Sequence, residues 1–129
     1  MKMVCQETGM SYETLKFYCN QGLIPNVKRN ANNHRIFDEN DLAWIKDLEC
    51  LKKCGMTIAE MKNYLTLCLQ GRDSIEQRQI ILAQKREQLL KNIKVLEASI
   101  NYIDRKNSFY NQVLTNAIPY HSHLVKNEH

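Results

Sequence analysis

Apolar residues recur at helical spacing in short runs as far as Leu69, and glycines punctuate those runs; beyond Gly71 the repeat lengthens to seven. Met1 to Pro25 holds two short helical patterns separated by Gly9, with Ser11 placed as the N-cap of the second. Leu15, Tyr18 and Cys19 share a face of that second helix, Gly22 sits where it should stop, and Pro25 marks chain that has left it. Asn26 to Phe37 is polar and reads as a short hairpin or an ordinary surface loop. Asn32-Asn33 suits its turn, and Arg35-Ile36-Phe37 suits a brief strand.

Asp38 then caps a third helix carrying Leu42, Trp44, Ile45, Leu48 and Leu51, which Gly55 ends. Thr57-Ile58-Ala59-Glu60 has the form of a capping box and opens a fourth helix that runs to about Leu69. Ser74-Ile75-Glu76-Gln77 offers a second box at the start of a fifth. Gly9-Met10-Ser11 before Leu15 and Gly55-Met56-Thr57 before Met61 repeat one layout: helix, glycine turn, hydroxyl cap, helix. That is the layout of a helix-turn-helix.

From Ser74 neither Gly nor Pro appears until Pro119. Ile75, Leu82, Leu89, Leu96, Ile103 and Tyr110 recur every seven residues, and Ile93 and Ile100 supply the second position of the seam. Gln79, Arg86 and Asn107 interrupt it, so the coiled-coil pattern is strongest between Leu89 and Ile103. At about 1.5 Å per residue the helix spans roughly 50–55 Å. The chain offers no second long helix to cover the seam, so the pattern predicts a homodimer through Leu82, Leu89, Ile93, Leu96, Ile100 and Ile103. A polar tail follows from about Ala117 and is expected to end in a mobile segment.

Composition narrows the function classes. A chain of 129 residues, 43% hydrophobic, suits one ordinary domain or a small domain with a helical extension. No apolar run is long enough to span a bilayer and no secretory pattern opens the chain, so a cytoplasmic protein without membrane contact is expected. The five cysteines form no CxxC pair and read as free thiols. The net charge is +4, and residues 1–35 carry five Lys/Arg against two acids, the most basic third of the chain. That bias suits a phosphate-facing surface. The glycines all lie at helix ends and three of the four histidines lie in the tail, so no nucleophile–base pair, phosphate loop or metal set is evident. The expectation is a protein that is not an enzyme, with no cofactor and no metal site. A coiled-coil adaptor without DNA binding is the rival, and it leaves Lys16 and Arg35 unexplained.

Gly9-Met10-Ser11, Leu15-Lys16-Phe17-Tyr18, Gly22-Leu23-Ile24-Pro25, Arg35-Ile36-Phe37 and Asp41-Leu42 followed by Gly55-Met56-Thr57 resemble, in this order and spacing, the MerR family of transcription regulators over about residues 3–112. The resemblance implies an all-α fold: a winged helix-turn-helix DNA-binding domain with a small wing and a second helix pair over residues 1–71, a dimerisation helix forming an antiparallel coiled coil over 72–112, and a short tail over 113–129. A helix-turn-helix puts its second helix in the major groove, so Ser11, Tyr12, Thr14, Lys16 and Phe17 are candidate DNA contacts. Lys28, Arg29 and Arg35 of the wing would reach the flanking backbone. Tyr18 fits a backbone contact and a core position equally well. Departures from the family pattern are the little room before the first helix for its usual short strand, Lys16 in place of arginine, and Cys19-Asn20 in place of a glutamate–arginine pair, which removes part of the local polar network.

The family resemblance further implies a dimer on double-stranded promoter DNA whose spacer is over-long. An effector makes the dimer distort that DNA, and RNA polymerase is engaged indirectly through the promoter. Metal-sensing members place cysteine where Ser74 stands here, and His121-x-His123 alone is too little for a metal; a metal-responsive regulator is the alternative. Drug-sensing members need a ligand domain, and the tail is expected to be too short to enclose a pocket. Cys50, in Leu48-Glu49-Cys50-Leu51, resembles the sensor of the NmlR/AdhR-like, thiol-based branch that responds to aldehydes and nitrosative stress, with Lys46, Lys52 and Lys53 nearby. The alternative for Cys50 is a small buried packing residue. Cys54, one turn on, is too far along a helix for an undistorted disulfide. Cys5, Cys19 and Cys68 read as structural.

Overall fold

A computed structural model describes residues 2–125. The elements are α1 (Lys2–Thr8), α2 (Tyr12–Asn20), β1 (Lys28–Arg29), β2 (Arg35–Ile36), α3 (Glu39–Lys53), α4 (Ile58–Leu69), a single 3₁₀ turn (Gly71–Ser74) and α5 (Ile75–Leu114). The chain divides into two compact units, one through Glu87 and one from Gln88. No helix among the described residues is long and apolar enough to cross a membrane.

In the first unit, local hydrogen bonding explains where each helix begins. Gly9 and Gly55 take φ of +75° and +87°, and each turn hands the chain to a hydroxyl cap. Ser11 Oγ accepts from Thr14 N–H at 3.2 Å. Thr57 and Glu60 form the expected box, each side chain meeting the other's backbone N–H at 3.1 Å. Asp38 and Asp41 form a second one at the start of α3, at 2.8 and 3.0 Å.

The box expected at Ser74 does not form. The 3₁₀ turn runs directly into α5, and the Ile75 N–H that a cap would leave open is already bonded to Arg72 O. Ser74, only 1% exposed, donates its hydroxyl instead to the carbonyls of Leu67 and Gly71. It closes the α4–α5 junction.

Leu15, Tyr18, Leu23, Ile24, Ile45, Leu48, Met56 and Met61 are buried in one core, against which Trp44 and Ile81 pack. Ile81 brings the first turns of α5 onto that core. Trp44 Nε1 donates to Leu23 O at 2.7 Å and so ties the exit of α2 to α3. The wing is a two-stranded antiparallel ladder with Lys28 opposite Ile36 and Arg29 opposite Arg35. Asn33, at φ +62°, takes the left-handed position of its turn, which asparagine tolerates better than other non-glycine residues.

In the second unit α5 continues to Leu114 and stops at Asn116, whose φ is +61°. Asn116 N–H bonds Val113 O and Ala117 N–H bonds Gln112 O, a Schellman closure with asparagine in the usual glycine place. The seam residues Leu82, Ile93, Leu96, Ile100 and Ile103 are exposed in the single chain, Leu96 by 62%, and Leu89 is half-buried. The tail departs from expectation. With α5 it frames an open cleft of about 460 Å³ lined by Tyr102, Phe109, Tyr110 and Tyr120 together with Arg105 and His121. Four aromatic rings supply the bulk that the count of tail residues alone does not show. The expected mobile end, over 126–129, lies outside the described residues.

Candidate nucleic-acid interface

The basic face assembles from three separate segments. Lys2 of α1, Tyr12 from the first turn of α2, and Arg29, His34 and Arg35 of the wing line one cleft of about 350 Å³, with no acid among its described lining residues. Arg29 and Arg35 sit directly opposite one another on the ladder, a like-charge pair that by itself disfavours pairing. Neutral oxygens hold them in place. Arg29 Nη1 donates to Asn33 O at 2.8 Å, and Arg35 Nη2 donates to Asn20 Oδ1 at 2.9 Å. The Asn20 bond restores a polar link between α2 and wing that the sequence suggested was lost, because the shorter amide still reaches the arginine. Both acceptors in these two bonds are neutral amide oxygens, which orient the guanidinium groups.

The α2 residues separate by burial. Ser11, Tyr12, Lys16 and Phe17 are exposed and Thr14 half-buried, with the Ser11 and Thr14 hydroxyls bonded at 2.8 Å. Tyr18 is 3% exposed and belongs to the core, the second of its two sequence readings. Burial, and then the charge of Glu49, push its phenol up. Burial likewise pushes the Cys19 thiol up, against the opposing pull of Arg35 and Arg29. Cys19 is a packing residue, as expected.

Cys50 is exposed on α3, so in the chain it is not the buried packing residue that was its alternative. It lines a cavity of about 310 Å³ that also holds Trp44, Tyr64, Cys68 and Arg78. Burial pushes the Tyr64 phenol up, the charge of Cys68 adds to the push, and Arg78 opposes it. No group of three or more metal-binding side chains clusters among the described residues.

A sequence model described as the MerR HTH family regulatory protein matches residues 1–68. The chain belongs to the MerR family. It is similar to an HTH-type transcriptional regulator of Haemophilus influenzae, 32% identical over 81% of this chain and 78% of that protein. Similarity also extends to the HTH-type transcriptional regulator AdhR of Bacillus subtilis, 37% identical over 67% of this chain and 62% of that one. Among solved structures, HiNmlR, a MerR family regulator lacking the sensor domain and bound to promoter DNA, superposes with a TM-score of 0.72 at 30% identity, over 87% of this chain and 89% of that one.

In this MerR-family chain the basic residues beyond those read from sequence are Lys2 and His34, joined to the expected Arg29 and Arg35 by the cleft. The charge bias of the first third counts Lys2, Arg29 and Arg35 but not His34. Their convergence on one cleft depends on how α1 packs, which no local pattern gives.

Proposed function

We propose that this MerR-family regulator acts as a homodimer on double-stranded promoter DNA, with α2 in the major groove and the wing on the adjacent backbone. The observation that carries the reading is the directly opposed Arg29–Arg35 pair, which shares one cleft with Lys2 and His34. Such an arrangement disfavours the free wing and favours a bound phosphate. Exposed Tyr12, Lys16 and Phe17, with Ser11 and Thr14 in the first turn of α2, are the candidate groove contacts, and Lys28 extends the wing's reach. Tyr18 supports them from the core.

The homodimer reading is supported by the uncovered seam of Leu82, Leu89, Ile93, Leu96, Ile100 and Ile103. A heptad stripe of that length left in water is a contiguous apolar patch, and a second copy supplies its complement. Cys50 is the proposed effector site: an exposed thiol at a cavity, on the helix that follows the wing. An adduct there shifts the dimer between two DNA-bound shapes, and RNA polymerase responds to the altered promoter.

Selection of bound duplexes from a random pool tests the DNA reading without knowledge of the natural operator. The expected product is an inverted repeat enriched by wild type, and the same repeat enriched by Arg35→Ala only at higher protein concentration. A pool that stays random after repeated rounds contradicts it.

A further inference from the structure

Two thiols from two helices meet at one cavity: Cys50 of α3, exposed, and Cys68 of α4, half-buried. Arg78 is fixed beside the second. Its Nε donates to Ser74 Oγ at 3.1 Å and its Nη2 to Gly71 O at 2.6 Å, which leaves Nη1 directed at Cys68 Sγ, 3.9 Å away. Tyr64 lines the same wall, and Trp44 and Leu51 give the cavity an apolar side. The arrangement is asymmetric. A nucleophile stands open to solvent, and a second nucleophile lies beside two hydrogen-bond donors suited to an oxygen.

An electrophile with one reactive centre uses half of this arrangement, whereas one with two centres and a carbonyl oxygen uses all of it. We propose that the cavity captures a small α,β-unsaturated aldehyde and, through it, bridges α3 to α4. The proposal rests on the thiol-sensing reading of Cys50. In the first step the Cys50 thiol adds across the carbon–carbon double bond: sulfur bonds the β-carbon, the π bond breaks, and the thiol proton ends on the α-carbon. In the second the Cys68 thiol adds across the carbonyl: sulfur bonds the carbonyl carbon, that π bond breaks, and the proton ends on oxygen. The product is a thioether at Cys50 and a hemithioacetal at Cys68, with no oxidant or reductant consumed. Arg78 and Tyr64 are the donors that receive the new hydroxyl.

The bridge has a mechanical consequence. Arg78 also holds Ser74 and Gly71, the residues of the turn from which α5 leaves, so replacing its bond to Cys68 alters the support of that turn. Capture at the cavity thereby reaches the start of the dimerisation helix.

The test uses the full chain and acrolein carrying carbon-13 at its carbonyl carbon, supplied below one equivalent. Peptide mass spectrometry locates the thioether, and carbon NMR reads the state of the labelled carbon. Wild type is expected to carry the thioether on Cys50 with a hemithioacetal signal, and that signal is expected to be lost in Cys68→Ser and in Cys68→Ala. A wild-type adduct on Cys50 whose labelled carbon is a free aldehyde, a hydrate or a lysine imine overturns the bridge and leaves the Cys50 sensor standing. A hemithioacetal that persists in both Cys68 variants also overturns it. Absence of any thioether on Cys50 overturns the sensor reading and the bridge with it.

Discussion

Arg35 of the wing donates to Asn20 at the end of α2, and that bond orients its guanidinium. If that orientation serves a DNA phosphate, Arg35→Ala lowers affinity for every duplex and reduces the slope of log K against log salt by about one per chain. Thr14→Ala is expected instead to change which bases are preferred, since the proposed complex puts the first turn of α2 in the groove. Titration of each variant against matched and mismatched duplexes separates the two effects. Thiol reactivity gives a second check. Burial pushes the Cys19 thiol up, so at neutral pH iodoacetamide should label exposed Cys50 well before Cys19, with the Cys19 rate rising only in alkali. Equal rates at neutral pH contradict the burial. Sequence showed the basic residues and the structural role of Cys19, but not the Asn20–Arg35 bond. Those residues lie fifteen apart, and only the packing of wing on α2 brings them together.

At the scale of elements, a helix start is legible where its signal closes within four residues. Thr57 with Glu60 fits that rule, and Asp38 caps α3 as its position predicts. Ser74 shows the rule's limit. A serine hydroxyl serves a cap or a neighbouring carbonyl equally well, and the 3₁₀ turn beneath it decides for the carbonyls. Thr57→Ala is expected to destabilise the fold by about 1 kcal/mol in chemical denaturation at fixed protein concentration. Glu60 adds a pH signature. The hydrogen bond from Lys85, then that from the Thr57 backbone, hold its carboxyl below the usual range. Its contribution is therefore present above the unfolded-state pKa of about 4.3 and is lost as pH falls through the lower folded value. Glu60→Gln should flatten the acid side of the stability profile in that window, and an unchanged profile would argue against the pairing. On α5, Leu96→Asp places an uncompensated charge in the seam, and the expected product is a monomer or an insoluble chain. Light scattering at micromolar concentration reads it. A wild type that is itself monomeric there contradicts the dimer.

Considered as a whole molecule, the chain carries a basic α2–wing surface, a thiol cavity and a helix with an exposed heptad seam, and it is the cavity that sequence least revealed. Helical periodicity says which face of α3 carries Cys50 and which face of α4 carries Cys68, but not that the two open on one space with Arg78 of α5. The seam was readable because a seven-residue repeat needs no tertiary information. Because Cys50 is exposed at that cavity, the proposed adduct would fill or bridge the cavity. Cys50→Ser is accordingly expected to keep DNA binding and lose induction by aldehydes or nitrosothiols in a promoter–reporter assay. Full induction in that variant would return Cys50 to a passive role.

The proposed grip of a dimer on duplex DNA through the α2–wing surface is tested most directly by the salt dependence of binding to the selected inverted repeat, followed by fluorescence anisotropy. The expected result is two chains per duplex, an affinity that falls linearly in log K against log salt, and a slope shallower by about one per chain in Arg35→Ala. Binding that is insensitive to salt, or a slope that Arg35→Ala leaves unchanged at full affinity, would contradict it.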